Sequence, residues 1–172
     1  MIKEATWPRP FQTRDGKTYW VRPITAEDLD RDRRFIKGLS ETSRYNRMMG
    51  LMPEPPQSML EDFVHVDYEH SMALFAYAGH PPNETFIAVA RYGGSEEDCE
   101  FAIAVADEWQ SHGVGTTLAH LLFEYAKAHG VRRLHATFFT RNNQMLGLAH
   151  ELRMSVHRSE SDSALLEASQ TL

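Results

Sequence analysis

The chain has 172 residues, 42% apolar and 24% charged, with a net charge of −6, one cysteine and nine histidines. That is ordinary globular composition for a single domain able to bury a core without staples. The acidic balance argues against gripping nucleic acid or an anionic membrane. One cysteine excludes an internal disulfide framework and suits a reducing, cytoplasmic compartment. No apolar run approaches the ~20 residues needed to span a bilayer, and "MIKEATWPRPFQ" lacks the apolar core of a signal peptide.

In chain order, "FQTRDGKTYWVRPI" reads as a hairpin turning at Asp15-Gly16, a favoured type I′ pair, with residues 1–15 as an N-terminal extension and first strand. "TAEDLDRDRRFIKGL" starts a helix, with Thr25 as its cap and acids in the first turn. "SETSRYNRMMGLM" reads as a second short helix capped by Ser40 or Thr42, ended by "PEPPQ". "SMLEDFVHVDY" is helical again. "SMALFAYA" and "TFIAVARY", separated by the turn cluster "GHPPNE", form an antiparallel pair, and "CEFAIAVAD" a third buried strand. A helix follows to Gly130, then the strand "RRLHATFFT", a helix over "NNQMLGLAHELRM" and a closing strand "ALLEASQTL". The sum is an α+β fold: a mixed, mostly antiparallel central sheet flanked by helices.

The third strand runs directly into Gly113-Val114-Gly115 and a helix with an apolar stripe at Leu118, Leu121, Leu122 and Tyr125. Strand, glycine turn and helix together suit a phosphate, because first-turn N–H groups are unpaired and the helix dipole favours anions there. A P-loop needs a lysine after the glycines, and none follows. A dinucleotide fingerprint needs a third glycine where Leu118 stands. The histidines offer no metal spacing: His65 with His70, and His112 with His120, are not at i,i+4, and neither HExxH nor paired CxxC occurs. No metal site is expected.

Gln110-Ser111-His112-Gly113-Val114-Gly115 instead satisfies [QR]-x-x-G-x-[GA], the acyl-CoA diphosphate loop of the GNAT N-acetyltransferases. The chain resembles that family from about Gly16 to its end. The segments "VRPITAEDL", "LSETSRYNRM", "VDYEHSMAL", "CEFAIAVADEWQSHGVGTTL" and "NNQMLGLAHEL" resemble most the acetyltransferase domain of bacterial Pat-type protein lysine acetyltransferases. The resemblance implies one GNAT (acyl-CoA N-acyltransferase) domain over 1–172. It further implies direct transfer of an acetyl group from acetyl-CoA to a primary amine, on a protein lysine or a small molecule. A homodimer is left open, since GNAT proteins are often dimers.

It also implies roles for particular residues. Glu100 matches the glutamate that opens the central strand and is the candidate general base, useful to an amine of pKa ~10.4; a partly exposed strand-start carboxylate beside the acidic "SEED" loop is the competing reading. Strand alternation sets it on one face with the small Ala102 and Ala104. Val105 matches the position whose backbone N–H faces the thioester oxyanion. The N–H groups of His112, Gly113, Val114, Gly115 and Thr116, with the Gln110 backbone, would hold the diphosphate, and Asn142 matches the pantetheine-contacting asparagine. The side chain of His112 reads equally as a solvated loop histidine. An N-cap is the competing reading of the Asn-Asn pair, for Asn143 in particular.

Two departures weaken the match. Ala149 stands where many GNAT enzymes carry a tyrosine that protonates the leaving thiolate, and Arg153-Met154 replaces a Gly-Phe pair. They keep open an alternative, a non-catalytic acyl-CoA-binding module, against which Glu100 argues. Cys99 reads as a small buried hydrophobe, and Met48, Met49 and Met52 as helix packing. Arg44 and Arg47 match a basic pair on the family's acceptor side, although exposed arginines at i,i+3 are equally ordinary.

Overall fold

The structure, a computed structural model, describes residues 7–172. The expectations for residues 1–6, part of the N-terminal extension and of the segment scanned for a signal peptide, lie outside the described residues. The chain runs β1 (Arg9–Gln12), β2 (Thr18–Pro23), a 3₁₀ turn (Ala26–Asp28), α1 (Leu29–Gly38), α2 (Glu41–Met48), α3 (Gln57–Val64), β3 (Ser71–Ala78), β4 (Thr85–Gly94) and β5 (Cys99–Val105). After a second 3₁₀ turn (Asp107–Trp109) come α4 (Val114–Ala128), β6 (Arg133–Phe139), α5 (Asn143–Glu151), β7 (Ser155–Arg158) and β8 (Leu165–Thr171).

All eight strands make one sheet in the order β1-β2-β3-β4-β5-β6-β8-β7. β5 and β6 pair in parallel and every other neighbouring pair is antiparallel. β3 and β4 are covered on both faces, which is why they read as unbroken apolar runs rather than alternating ones. Met72, Leu74 and Ala76 point into the core under α4, with Leu118, Leu122 and Phe123. Ala73, Phe75 and Tyr77 point into the opposite core, with Phe35, Ile36 and Leu39 from α1 and its end and Leu60 and Val64 from α3.

Three details differ from the sequence reading. β1 and β2 are joined by residues 13–17, not by a two-residue turn. The Thr13 N–H donates to Lys17 O (2.9 Å), the Lys17 N–H to Thr13 Oγ1 (2.8 Å), and Gly16 takes a positive φ of 89°. The Thr13 side chain thus stabilises a wider loop than Asp-Gly alone would make. β7, "SVHR", went unread because two of its four residues are charged or ionisable and its pattern is mostly exposed, as an edge strand allows. The helix predicted from Thr25 opens as a 3₁₀ turn, with the Thr25 N–H bound by Asp28 Oδ2 (2.9 Å).

Asp28 anchors that corner. Its side chain is fully buried and accepts from Arg22 Nη1 and Nη2 (2.8 and 2.9 Å) and from Arg31 Nη1 (3.2 Å). Burial pushes the carboxyl up, but the bonds from Arg22 and the Thr25 N–H outweigh it and hold it below its ordinary 3.8. A depressed folded-state value means the group stabilises the fold fully above 3.8, and that contribution fades as pH falls through the lower folded value. Asp28→Asn is expected to cost about 3 kcal/mol in urea unfolding at pH 7, since it strands two arginines at a buried partner. The gap from wild type should narrow in acid; an equal gap at pH 7 and pH 3 would contradict the assignment.

Candidate active site

The parallel pairing of β5 with β6 lasts for two residue pairs, Cys99↔Leu134 and Glu100↔His135. Beyond them each strand stays bound to its outer neighbour, β5 to β4 through Val105 and β6 to β8 through Phe139. The two halves of the sheet therefore part between residues 101–105 and 136–139. A cleft of about 570 Å³ fills the gap, lined by both strands, α2, α3, the glycine turn and α5.

Glu100 sits at the apex of the opening, on the same face as Ala102 and Ala104, and all three line the cleft. Toward the other end, the Ala106 N–H donates to Ile87 O on β4 (2.8 Å). Peptide directions alternate along a strand, so the Val105 N–H and C=O turn the other way, into the gap. The Val105 C=O accepts from Gln110 Nε2 (2.9 Å). That amide also donates to Ser43 Oγ (3.2 Å), and Gln110 Oε1 accepts from Gln144 Nε2 (2.7 Å). The side chain of the motif's glutamine thus ties the end of β5 to α2 and α5.

The glycine turn has two distinct steric requirements. Gly113, the cap of α4, has φ 88°, a left-handed conformation costly for residues with a Cβ. Gly115 has ordinary φ, but a Cβ there would lie 3.2 Å from Val105 Cγ2 and 3.7 Å from Ile103 Cδ1. Its hydrogen lets α4 pack directly onto β5. Ser111 also has positive φ, 64°. Gly113, Gly115 and Thr116 line the cleft, while the Val114 side chain is fully buried beneath them. Thr116 Oγ1 donates to Glu151 on α5 (2.7 Å). The His112 side chain turns aside to Asp15 (3.4 Å) and is not part of the cleft wall.

The cation beside the turn is Arg14, which sequence reading missed. Its N–H donates to His112 O (3.1 Å), and its side chain lies 3.7 Å from the position a Cβ would take on Gly113. Only the docking of the β1–β2 loop on the glycine turn brings it there, across nearly a hundred residues of sequence. Asn142, not Asn143, caps α5: its Oδ1 accepts from the Met145 N–H (3.1 Å). It lines the cleft nonetheless, with its amide NH₂ free of that bond.

On α5 the cleft is lined by Gln144, Met145, Gly147, Leu148 and Glu151, whereas Ala149 is fully buried in the core and His150 is exposed outside the cleft. Met48, Met49 and Met59 line the opposite wall with Phe63. Of the two arginines on α2, Arg47 lines the cleft, while Arg44 donates to the Lys37 and Leu39 carbonyls at the end of α1. Cys99 is buried, its thiol donating to Ser95 O (3.0 Å) and pushed up by burial. Among the described residues no cluster of three His, Cys, Asp or Glu could hold a metal, and no helix is long and apolar enough to cross a membrane.

Comparisons with known proteins show the family to which this split sheet and glycine turn belong. The Acetyltransferase (GNAT) family matches residues 39–153. The acetyltransferase PA5475 of Pseudomonas aeruginosa is 30% identical over 151 residues, covering 87% of this chain and 81% of that protein. The acetyltransferase Pat of Mycolicibacterium smegmatis is 28% identical over 139 residues, 80% of this chain but 41% of its own length. The crystal structure of the GNAT domain of S. lividans PAT superposes with a TM-score of 0.88 at 28% identity, covering 99% of both chains. The chain belongs to the GNAT family and is an N-acetyltransferase; the family uses an acyl-CoA co-substrate and an amine acceptor.

On the expectation that the glycine turn holds the CoA diphosphate, Gly113→Ala should weaken CoA binding about 10-fold by calorimetry, because the left-handed cap costs an L-residue of order 1–2 kcal/mol and the loop relaxes away from it. Unchanged affinity would remove Gly113 from the binding site.

Proposed function

We propose that this chain, as one GNAT domain, transfers an acetyl group from acetyl-CoA directly to a primary amine, on a protein lysine or a small molecule. The observation that supports this best is the order of groups along β5: a carboxylate at the apex of the gap, a backbone N–H facing it further on, and the glycine turn at its end. Glu100 takes the proton from the attacking nitrogen, directly or through water, as the N–C bond forms. Negative charge collects on the thioester oxygen, where the Val105 N–H donates. The C–S bond then breaks and the thiolate leaves. No tyrosine on α5 lines the cleft, so solvent reprotonates the thiolate, a tolerable leaving group without help.

In this reading the N–H groups of residues 112–116 and the Gln110 backbone hold the diphosphate, with Arg14 supplying positive charge beside the turn. Asn142 uses its free amide NH₂ on the pantetheine arm while its oxygen caps α5. The His112 imidazole adds little, being already engaged with Asp15. Protein lysine as the acceptor rests on the resemblance to Pat-type enzymes, and a cytoplasmic setting on the lone, buried, unactivated Cys99.

Glu100→Gln is expected to lower kcat by about 10²- to 10³-fold in a free-thiol assay with acetyl-CoA, while CoA affinity stays within about twofold. Undiminished turnover would refute the base assignment. An equal loss in CoA affinity would instead give Glu100 a structural role.

A further inference from the structure

Arg47 stands apart from the other charged groups at the acceptor end of the cleft. Arg91, its neighbour from β4, is bonded: it donates to Phe63 O (2.8 Å) and to Asp32 Oδ2 (3.4 Å). Asp32 is 1% exposed and committed to that pair, although one of its oxygens stays without a partner. Both guanidiniums lie against the ring of Phe63, Arg91 at 4.2 Å and Arg47 at 5.1 Å from its centroid. Arg47, however, forms no hydrogen bond or salt bridge among the described residues. It lines the cleft among Met48, Met49, Met59 and Phe63, and Glu100, lining the same cleft, is after Asp32 the carboxylate whose charge acts on it. Burial first, and then Arg91, push Arg47 down to about 10, while Asp32 and Glu100 pull it back up. It is still fully charged at neutral pH.

Arg47 is half-buried, and a guanidinium held against an apolar wall without a bonded partner gains when a carboxylate pairs with it. While the cleft is empty, the charges of Asp32 and Glu100 offset it in part. During the reaction described above Glu100 accepts a proton and becomes neutral, so Arg47 loses that share of its counter-charge at the moment of attack. We propose that Arg47 is a specificity-determining residue that pairs with a carboxylate carried beside the reacting amine, so that the preferred acceptor is an amine with an acidic neighbour. This rests on the N-acetyltransferase reading and adds a substrate class to it. The planar fork of arginine suits a bidentate carboxylate. The same cation disfavours the ammonium form of an arriving amine and so favours the neutral, nucleophilic form.

The carboxylate has two sources, the backbone carboxyl of a free amino acid or an acidic side chain next to a protein lysine. Two pairs of acceptors separate them, assayed with the full chain and acetyl-CoA by thiol release. One pair is Nα-acetyl-lysine and its methylamide; the other is a lysine peptide flanked by glutamates and its counterpart flanked by glutamines. In wild type, kcat/KM should favour the carboxylate-bearing member of at least one pair by about 10- to 100-fold, the range of a charge-assisted pair. Arg47→Met should bring that ratio to near 1, and Arg47→Lys should keep part of it. The ratio is internal to whatever protein folds, so a merely structural role for Arg47 would lower both members together and leave it unchanged. No preference in either wild-type pair, or a ratio that survives Arg47→Met, overturns the inference while leaving the N-acetyltransferase reading intact. No thiol release with any of the four acceptors overturns both.

Discussion

The structure turns on a sheet that stops pairing in its middle. β5 and β6 run in parallel for two residue pairs and then part, while each remains held by its outer neighbour. Backbone donors and acceptors left facing a gap would cost free energy if buried dry. Here they face an open cleft, and one of them, the Val105 C=O, is taken up by the Gln110 side chain. The fold therefore presents a row of peptide groups along the gap, and the side chains around it secure its shape. In the proposed function these groups are the binding surface, already in place when a ligand arrives.

α2 spans the opening and sets its width. Its N-terminus is pinned to the end of β5 by Asp107, which accepts from Ser40 N (2.9 Å), Ser40 Oγ (2.7 Å) and Ser43 Oγ (2.9 Å). Further along, Tyr45 stacks on Phe139 of β6 with ring centroids 5.3 Å apart, and Arg141 lies over the same tyrosine. One helix thereby touches both lips of the gap. Because α2 has no residue in the fully buried class, these polar and aromatic contacts, not core burial, locate it. This wall of the cleft is accordingly held by fewer buried side chains than α4, which packs directly on the sheet.

The contrast explains what the sequence discloses. β3, β4, β5 and α4 were legible because their side chains serve the core, and burial imposes an apolar pattern. The glycine turn was legible because left-handed φ at Gly113 and the close approach at Gly115 leave few residues acceptable. Glu100 and Asn142 were reached only through resemblance; nothing in their spacing distinguishes them from any strand-opening carboxylate or helix cap. Arg14 escaped altogether. It acts across the docking of the β1–β2 loop on the glycine turn, a contact between distant segments that no local pattern records. β7 escaped because an edge strand carries no burial signal.

Arg47 occupies the middle of that range. Its segment was recognisable, but its partner Arg44 lies three residues away on the same helix and looks equivalent in sequence. The fold separates them: Arg44 satisfies carbonyls at the end of α1, which makes it a helix-capping strut, whereas Arg47 lines the cleft, as does Glu100. Charge balance then constrains the chemistry. Behind the wall Asp32 and Arg91 close a buried pair, whereas Arg47 and Glu100 line the cleft itself with no bond between them, the charges of Asp32 and then Glu100 acting on Arg47. With Glu100 as the proposed base, a group that must exchange its proton cannot also be the permanent counter-ion of a half-buried cation. In that proposal acceptor charge and catalysis are coupled at Arg47, and the acceptor completes what the protein leaves unpaired.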